Sequence, residues 1–540
     1  MTQPKRHPLI AGTRITSLGT LASRVLGMVR DMATAALLGL SGGGVMDAFV
    51  VAFRVPNLFR RLFGEGALTA SYLPVLAAQL EKDRKSAWQL ASVTLTWLAV
   101  VLAVLVLIGE GLLGMAWLAW ADVPNVRLLV GLAAVMLPYA LLICLTAQVT
   151  ATMHALSHFT TGALTPTLLN ICWLTAAWLI APHFAPDRAA QAYVLATAVL
   201  ISGALQLGVQ WPVLRYLGFR FDYDWAASRE ALGRIVHNVA PTLVGLAVTQ
   251  INTLLDSLIA WGLAAAPDGP QQIAWLGGAV RYPLEQGAAA AIYYGERLYY
   301  FPLGVLGLAV ATAIFPLLSR HAARDDRRQL GADLTLGLRL VICLGVPAGV
   351  GLIMLAEPLA RLLFERGQFT AADTQRAARM IGCYATGVWA YCALPVVVRG
   401  FYALGDYAAP VRIAACIVGL NLTLNLTLIW PMAEAGLAVA TAASATVQVL
   451  LLMLIFSRRK GPLYWRVLAA TGARTVLATA VMAAAGYAVL RLISRTLDTT
   501  VLAGQLAQVL LPLGVSLAVY CGFYRLLGGR ELGLLTARKK

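Results

Sequence analysis

Long apolar runs, recurring from one end of the chain to the other, constrain this sequence more than any other feature. They fall at about 11–39, 46–78, 87–120, 127–156, 159–181, 188–217, 231–264, 290–319, 329–357, 372–404, 409–430, 434–457, 466–493 and 504–528, each bounded by charges, glycine or proline. About 20 apolar residues suffice to cross the hydrocarbon as a helix. A chain in lipid must satisfy its backbone polar groups within each segment, so these runs are expected to be helices. The expected class is an all-α polytopic membrane protein with about 14 transmembrane helices. Composition agrees: 59% of residues are hydrophobic and 12% charged, which leaves too few polar side chains to coat several soluble cores. The first, second and eighth runs carry so many polar groups that a hydropathy count alone misses them.

The formal charge of +17 arises from 42 Lys+Arg against 25 Asp+Glu. With the N-terminus in the cytoplasm, the inner loops hold Lys5, Arg6, Lys82, Arg84, Lys85, Arg215, Arg220, Arg229, Arg234, Arg320, Arg324, Arg327, Arg328, Arg458, Arg459, Lys460, Arg466 and the tail Arg538, Lys539, Lys540. The outer loops hold only Arg127, Arg188, Arg281, Arg361, Arg366, Arg491 and Arg495. This asymmetry follows the positive-inside rule and places both termini in the cytoplasm. Much of the charge is thus topological, and nucleic-acid binding is unnecessary to explain it. The seven cysteines lie in apolar stretches without a CxxC pair and read as small buried hydrophobes. The start lacks a compact apolar core ending in an AxA-like site, so the first helix is expected to stay as a signal anchor.

A weak internal repeat organises the chain. MDAFVVAFRVPNLFRRLFGEGALTASYLPVLAAQLEKD in the second run resembles IYYGERLYYFPLGVLGLAVATAIFPLLSRHAARDD in the eighth, and MHALSHF at 153–159 echoes FYALGDY at 401–407. Both echoes keep the same sidedness, so two six-helix lobes are expected around a central cavity, related by an axis along the membrane normal, as in secondary transporters. The boundaries are 1–220 for the N-lobe, 221–465 for the C-lobe, and 466–540 for two further helices and a cytoplasmic tail. The connection 265–289 is the longest and has no assigned role.

Charge within the apolar runs marks where chemistry resides. The first run carries Arg24, Arg30 and Asp31; the second carries Asp47, Arg54, Arg60, Arg61 and Glu65. A charge at the bilayer centre costs at least about 2.5–3.5 kcal/mol, so such a set must face a wet cavity or pair internally. Snorkelling or structural pairing explains any one residue about as well, and explains Arg60 and Arg61 near a helix end better. For the set, the cavity reading is favoured because Glu296 and Arg297 stand at the corresponding place in the eighth run. Arginine suits diphosphate because its planar fork donates two parallel hydrogen bonds and stays ionised. A second set, Asp256, Asn421, Asn425 and Thr441, offers oxygen ligands for a hard cation such as Na+, with interhelical hydrogen bonding as the commoner alternative. The six histidines form no HExxH, and no GxSxG, Walker A or suitably placed GxGxxG occurs, so enzyme chemistry is not expected. His154 and His158 lack a third ligand. Pro56, Pro74, Pro166, Pro302, Pro316 and Pro410 are hinges or static kinks.

SRVLGMVRD at 23–31 and DAFVVAFRVPNLFRRLFGEGA at 47–67, followed by ERLYYFPLGVLGLAVATAIFPLLS at 296–319, PLARLLFERGQFTAADT at 358–374 and GFYALGDYAAPVRIA at 400–414, resemble the MurJ (MviN) lipid II flippase family of the multidrug/oligosaccharidyl-lipid/polysaccharide exporter superfamily. The resemblance spans nearly the whole chain and implies fourteen helices, two lobes and a groove for a lipid tail at the last two helices. It implies a flippase that carries lipid II, an undecaprenyl-diphosphate-linked disaccharide pentapeptide, from the cytoplasmic to the periplasmic leaflet by alternating access, for cell wall synthesis. By motif, Arg24, Arg30, Asp31, Asp47, Arg60 and Arg297 are its substrate-binding residues. Asp256, Asn421, Asn425 and Thr441 resemble a cation site, so coupling to Na+ or to membrane potential is open, and no cofactor is implied. A bacterial inner-membrane monomer surrounded by membrane lipids is expected, with peptidoglycan synthesis machinery as a candidate partner. This sequence has Tyr300 where the family often has an acidic residue one turn after the eighth-helix arginine. Export of other undecaprenyl-diphosphate oligosaccharides, of O-antigen or capsule type, is the nearest alternative. A multidrug/cation antiporter is opposed by the arginines, and a membrane glycosyl- or acyltransferase by the lack of a paired acid and base.

Overall fold

The computed structural model describes residues 8–64, 67–266, 269–273 and 280–536. Glu65, Lys5, Arg6, the tail Arg538, Lys539 and Lys540, and parts of the 265–289 connection lie outside the described residues. The chain packs as two compact units, one of residues 1–261 with 366–369, the other of 262–365 with 370–540.

The first unit contains α1 (Pro8–Leu38), α2 (Val45–Phe59), α3 (Ala67–Lys82), α4 (Arg84–Ala119), α5 (Pro124–Met136), α6 (Pro138–Ala155), α7 (Thr160–Thr175), α8 (Ala181–Phe184), α9 (Arg188–Tyr216) and α10 (Trp225–Gly262). Helix starts follow local chemistry. Asp83 accepts from the Lys85 and Ser86 amides at 3.1 and 2.9 Å to open α4, and Asp187 accepts from Ala190 at 2.7 Å to open α9. Each relieves amides that lack an intrahelical partner. Helix α10 falls in this unit. The arginines of the second run help to hold it there, since Arg54 Nη1 donates to the Thr253 carbonyl at 3.2 Å and Arg61 Nη1 to Gln250 Oε1 at 3.1 Å.

The second unit contains a two-residue parallel pairing of β1 (Ala264–Ala265) with β2 (Leu284–Glu285). Its helices are α11 (Ala288–Pro302), α12 (Leu308–Ala323), α13 (Arg327–Met354), α14 (Ala356–Phe364), α15 (Ala371–Ala385), α16 (Val388–Ala403), α17 (Ala408–Met432), α18 (Glu434–Arg459), α19 (Trp465–Thr496), α20 (Leu502–Leu526) and α21 (Glu531–Thr536). A reciprocal capping box of Thr370 and Asp373 opens α15.

Among the described residues, the apolar runs of the sequence are mainly helical. Among the described residues, ten helical segments are long and apolar enough to cross a membrane, or eleven when α15 and α16, bent by 42°, count as one span. Neither α1, nor the α2–α3 pair, nor α10 is among them. These are the segments in which the sequence places Arg30, Asp31, Asp47 and Asp256. The count by length and composition is therefore lower than fourteen, and the protein is a multi-span membrane protein that is helical apart from one two-residue strand pairing among the described residues.

The internal repeat has a structural counterpart in each unit. Helix α2 starts from Gly44 at φ +71° and α11 from Gly287 at φ +96°, and each continues through a proline into a π-helical turn, Arg60–Gly64 after Pro56 and Leu303–Gly307 after Pro302. Proline removes a backbone donor, and the wider turn absorbs the break. The second echo is closer still. Ser157 at φ +60° and Gly405 at φ +71° occupy the same place in their motifs, and the His158 and Asp406 amides donate to the Met153 and Phe401 carbonyls at 2.9 and 3.1 Å. Both are six-to-one helix-terminating turns that favour glycine at the left-handed position. One copy has serine there.

Candidate anion site

On α1, Arg30 and Asp31 are adjacent, and both are buried, at 8% and 3% exposure. A guanidinium taken from water needs partners on every side. Arg30 Nε and Nη2 donate to the same oxygen, Asp31 Oδ1, at 3.1 and 2.8 Å, and Nη1 donates to Asn170 Oδ1 on α7 at 3.3 Å. The flat face of the cation lies 4.6 Å from the ring centre of Trp173, one turn further along α7. The hydroxyl of Thr34 donates to the Arg30 carbonyl at 2.9 Å and accepts the Trp173 indole N–H at 3.0 Å, tying the ring to α1.

The other arginines and acids expected from the sequence are placed differently. Arg24 is exposed on α1. Asp47 is 1% exposed in the first turn of α2, where the positive end of the helix favours a carboxylate. Arg60 is half-buried at the start of the π-turn and donates through Nε to Asn57 Oδ1 at 2.9 Å. In the second unit, the Arg297 guanidinium lies 4.2 Å over the ring of Tyr293, one turn back on its own helix, next to buried Glu296. Tyr300, at the position where an acid was expected from resemblance, stacks within 4.7 Å of Tyr299, which also meets Tyr384 and Tyr391 at 5.4 and 4.6 Å. Arg30 and Arg297 thus share one device. An aromatic face supports each cation in a low-dielectric setting without cancelling its charge.

The oxygen set is divided between the units. Asp256 is buried on α10, one turn beyond the Thr253 carbonyl that Arg54 holds. On α17 the buried Asn421 and Asn425 bond to each other, Nδ2 of 425 to Oδ1 of 421 at 3.0 Å, and on α18 the Thr441 hydroxyl donates to its own helix at Leu437. Asn421 Oδ1 keeps a second lone pair while it accepts that amide proton. Among the described residues no three His, Cys, Asp or Glu side chains gather as a metal centre.

Sequence reasoning missed Asn170 and Trp173. Their signal was weak: one amide and one indole, three residues apart, inside the apolar TLLNICWLT. It also missed two ion pairs of the second unit. Arg376 on α15 meets Glu434 through Nε at 2.9 Å and Nη2 at 3.2 Å, and Arg339 on α13 meets Glu531 through Nη2 at 2.6 Å. Chemically, the Arg30 cluster is a planar cation held by the Asp31 carboxylate, the Asn170 amide and the Trp173 ring, which suits exchange with a phosphate oxygen.

Comparison with known proteins adds the following. The family model described as Lipid II flippase MurJ matches residues 34–507. The "Probable lipid II flippase MurJ" of Vibrio cholerae is 33% identical over 81% of both chains, that of Rhizobium tropici 31% identical over 96% of this chain and 95% of its own, and the "Lipid II flippase MurJ" of Burkholderia cenocepacia 30% identical over 82% of both. Among solved structures, a lipid II flippase MurJ in an inward closed conformation superposes with a TM-score of 0.72 at 22% identity, covering 95% of this chain and 99% of that one. An inward-facing multidrug resistance MATE transporter reaches 0.60 at 12% identity, covering 81% and 94%. Both likenesses are of fold.

Proposed function

Because this chain belongs to the lipid II flippase MurJ family, we propose that it moves lipid II from the inner to the outer leaflet of a bacterial cytoplasmic membrane, supplying peptidoglycan synthesis. The observation that carries this reading is the match of the family model over residues 34–507, with relatives aligned along nearly the full chain. The buried Arg30 cluster supports it chemically. The transport step makes and breaks no covalent bond, and it is read as movement without enzyme chemistry.

In this reading the diphosphate of the substrate exchanges with the Asp31 carboxylate for the Arg30 donors, and Arg24, Asp47, Arg60 and Arg297 complete the charged path. The polyprenyl tail stays in lipid while the headgroup moves, because transferring its many methylenes to water costs about 0.8 kcal/mol each. Alternating access follows if the diphosphate binds one conformation more tightly than the other; equal affinity shifts nothing. A potential negative inside favours outward movement of net negative charge by about 2.3 kcal/mol per charge per 100 mV. Coupling to Na+ through Asp256, or through Asn421, Asn425 and Thr441, is a separate part of the proposal. The termini face the cytoplasm, consistent with the loop charges.

The test is complementation of a flippase-depleted bacterium, scored by growth and by lipid II reaching the outer leaflet. The wild-type chain restores both. Arg30→Ala and Arg297→Ala insert normally and fail; normal growth with both would sink the anion-site assignment. If Asp256→Asn leaves transport and its Na+ dependence unchanged, the cation proposal is wrong.

A further inference from the structure

We infer that Asn170 and Trp173 on α7 are positioning residues for Arg30: an uncharged cradle that aims the guanidinium at a diphosphate. The inference rests on the reading of Arg30 as a diphosphate ligand and extends it to the side chains that set its orientation.

The cradle is specified atom by atom. Asn170 is 4% exposed, and its carboxamide has one orientation that satisfies both neighbours. Its Nδ2 donates to the Ser23 carbonyl on α1 at 3.0 Å, so its Oδ1 faces Arg30 Nη1 at 3.3 Å. The flipped amide would set an oxygen against the Ser23 carbonyl and an NH2 against a cation, losing both bonds. Trp173 is fixed equally well. It is 1% exposed, its N–H is held by Thr34, and its ring meets Phe49 and Phe53 in T-shaped contacts at centroid distances of 5.4 and 5.2 Å and interplanar angles of 84° and 87°. Asn170 and Trp173 are three apart on one helix and therefore share a face. Arg30 is thus gripped on its Nη1 corner by a dipole and on its flat face by a π cloud, while its Nε/Nη2 edge meets Asp31.

The chemical identity of these partners matters as much as their placement. A buried arginine is commonly satisfied by carboxylates. Asn170 and Trp173 instead stabilise the cation through a dipole and a quadrupole, and themselves add no anion that would repel an incoming phosphate. Asparagine, and not aspartate, is what a site that must accept an anion requires at position 170.

The experiment measures undecaprenyl diphosphate binding to the full-length protein in nanodiscs, with Arg30→Ala as reference and Asn170→Asp, Trp173→Leu and Trp173→Phe as probes. Asn170→Asp is expected to weaken binding at least tenfold near neutral pH and to recover toward wild type, measured at the same pH, as acid protonates the introduced carboxyl. A purely structural role for Asn170 would give no such pH-dependent recovery. Trp173→Leu is expected to lose binding about tenfold, and Trp173→Phe, which keeps the π face, to regain most of it. The cradle is overturned if Asn170→Asp binds like wild type or stays weak at every pH, or if Phe and Leu at 173 behave alike. Should Asn170→Asp fail to fold, the Trp173 pair decides. Undiminished binding by Arg30→Ala refutes the diphosphate reading itself, whereas loss in Arg30→Ala with normal binding in the probes refutes only the cradle.

Discussion

Glu531 is the strongest test of how the last helices are secured. It opens α21, beyond the final span, and is fully buried. Its Oε1 accepts from Arg339 Nε and Nη2 at 3.1 and 2.6 Å and from Thr471 at 3.0 Å, and its Oε2 accepts from Tyr524 at 2.8 Å, joining α13, α19, α20 and α21 at one carboxylate. Glu531→Ala leaves a part-buried cation and two hydroxyls without this acceptor, a loss of about 3–5 kcal/mol for a broken buried pair. Glu531→Gln keeps oxygen and shape and loses charge, about 1–2 kcal/mol. The assay is hydrogen exchange of peptides from α20 and α21. At about 1.4 kcal/mol per factor of ten, Glu531→Ala should speed exchange by opening by roughly 10²- to 4 × 10³-fold, and Glu531→Gln about tenfold. Exchange within threefold of wild type in Glu531→Ala would refute the network as the anchor. The pH dependence follows from the same contacts. Burial alone raises the carboxyl pKa, but the bonds from Tyr524, from its own backbone N–H, from Arg339 and from Thr471 outweigh burial and lower it to about 2. A folded value below the unfolded value of about 4.3 stabilises above the latter and is lost as pH falls toward the former. Protection of the tail should be flat from about pH 8 to 5 and decline between about 4 and 2.

Ser157→Gly should raise thermal stability by about 0.5–1 kcal/mol, because the left-handed position costs a side-chain-bearing residue strain that glycine avoids, whereas Gly405→Ser should lower it by a similar amount; both are read by thermal unfolding. Arg376→Ala strands buried Glu434 and should cost about 3–5 kcal/mol, while replacing both partners by methionine should recover most of the loss, a pattern read by comparing melting temperatures of the single and double variants. Lys460 Nζ lies 2.6 Å from Asp406, and its hydrogen bond holds that carboxyl below the usual aspartate range. The pair therefore stabilises above about pH 4 and loses this contribution as pH falls through the depressed value; Lys460→Ala should reduce the acid sensitivity, leaving the part due to the Ala408 and Ala409 amides, at a cost of no more than about 1 kcal/mol.

Much of the architecture was legible in the residue order because lipid leaves the backbone few choices. Among the described residues the apolar runs are mainly helical, and the prolines of the second and eighth runs, read as hinges or kinks, precede matching π-turns. The echo of MHALSHF in FYALGDY even located two left-handed turns of the same design. Arg30 and Asp31 declared themselves as charges with no place in hydrocarbon.

What the sequence by itself determined, then, was the helical class, the positions of the breaks and the residues that had to be paired or hydrated. Only the tertiary structure decided who pairs with whom: Arg30 with Asn170 across 140 residues, Arg339 with Glu531 across 192, Asn425 with Asn421 within one helix, and α10 with the first unit. The physical reason is that lipid-facing and helix-facing sides of a membrane helix are similarly apolar, so periodicity does not reveal which neighbour a helix meets. A lone amide or indole gains its meaning from the cation that packing brings against it.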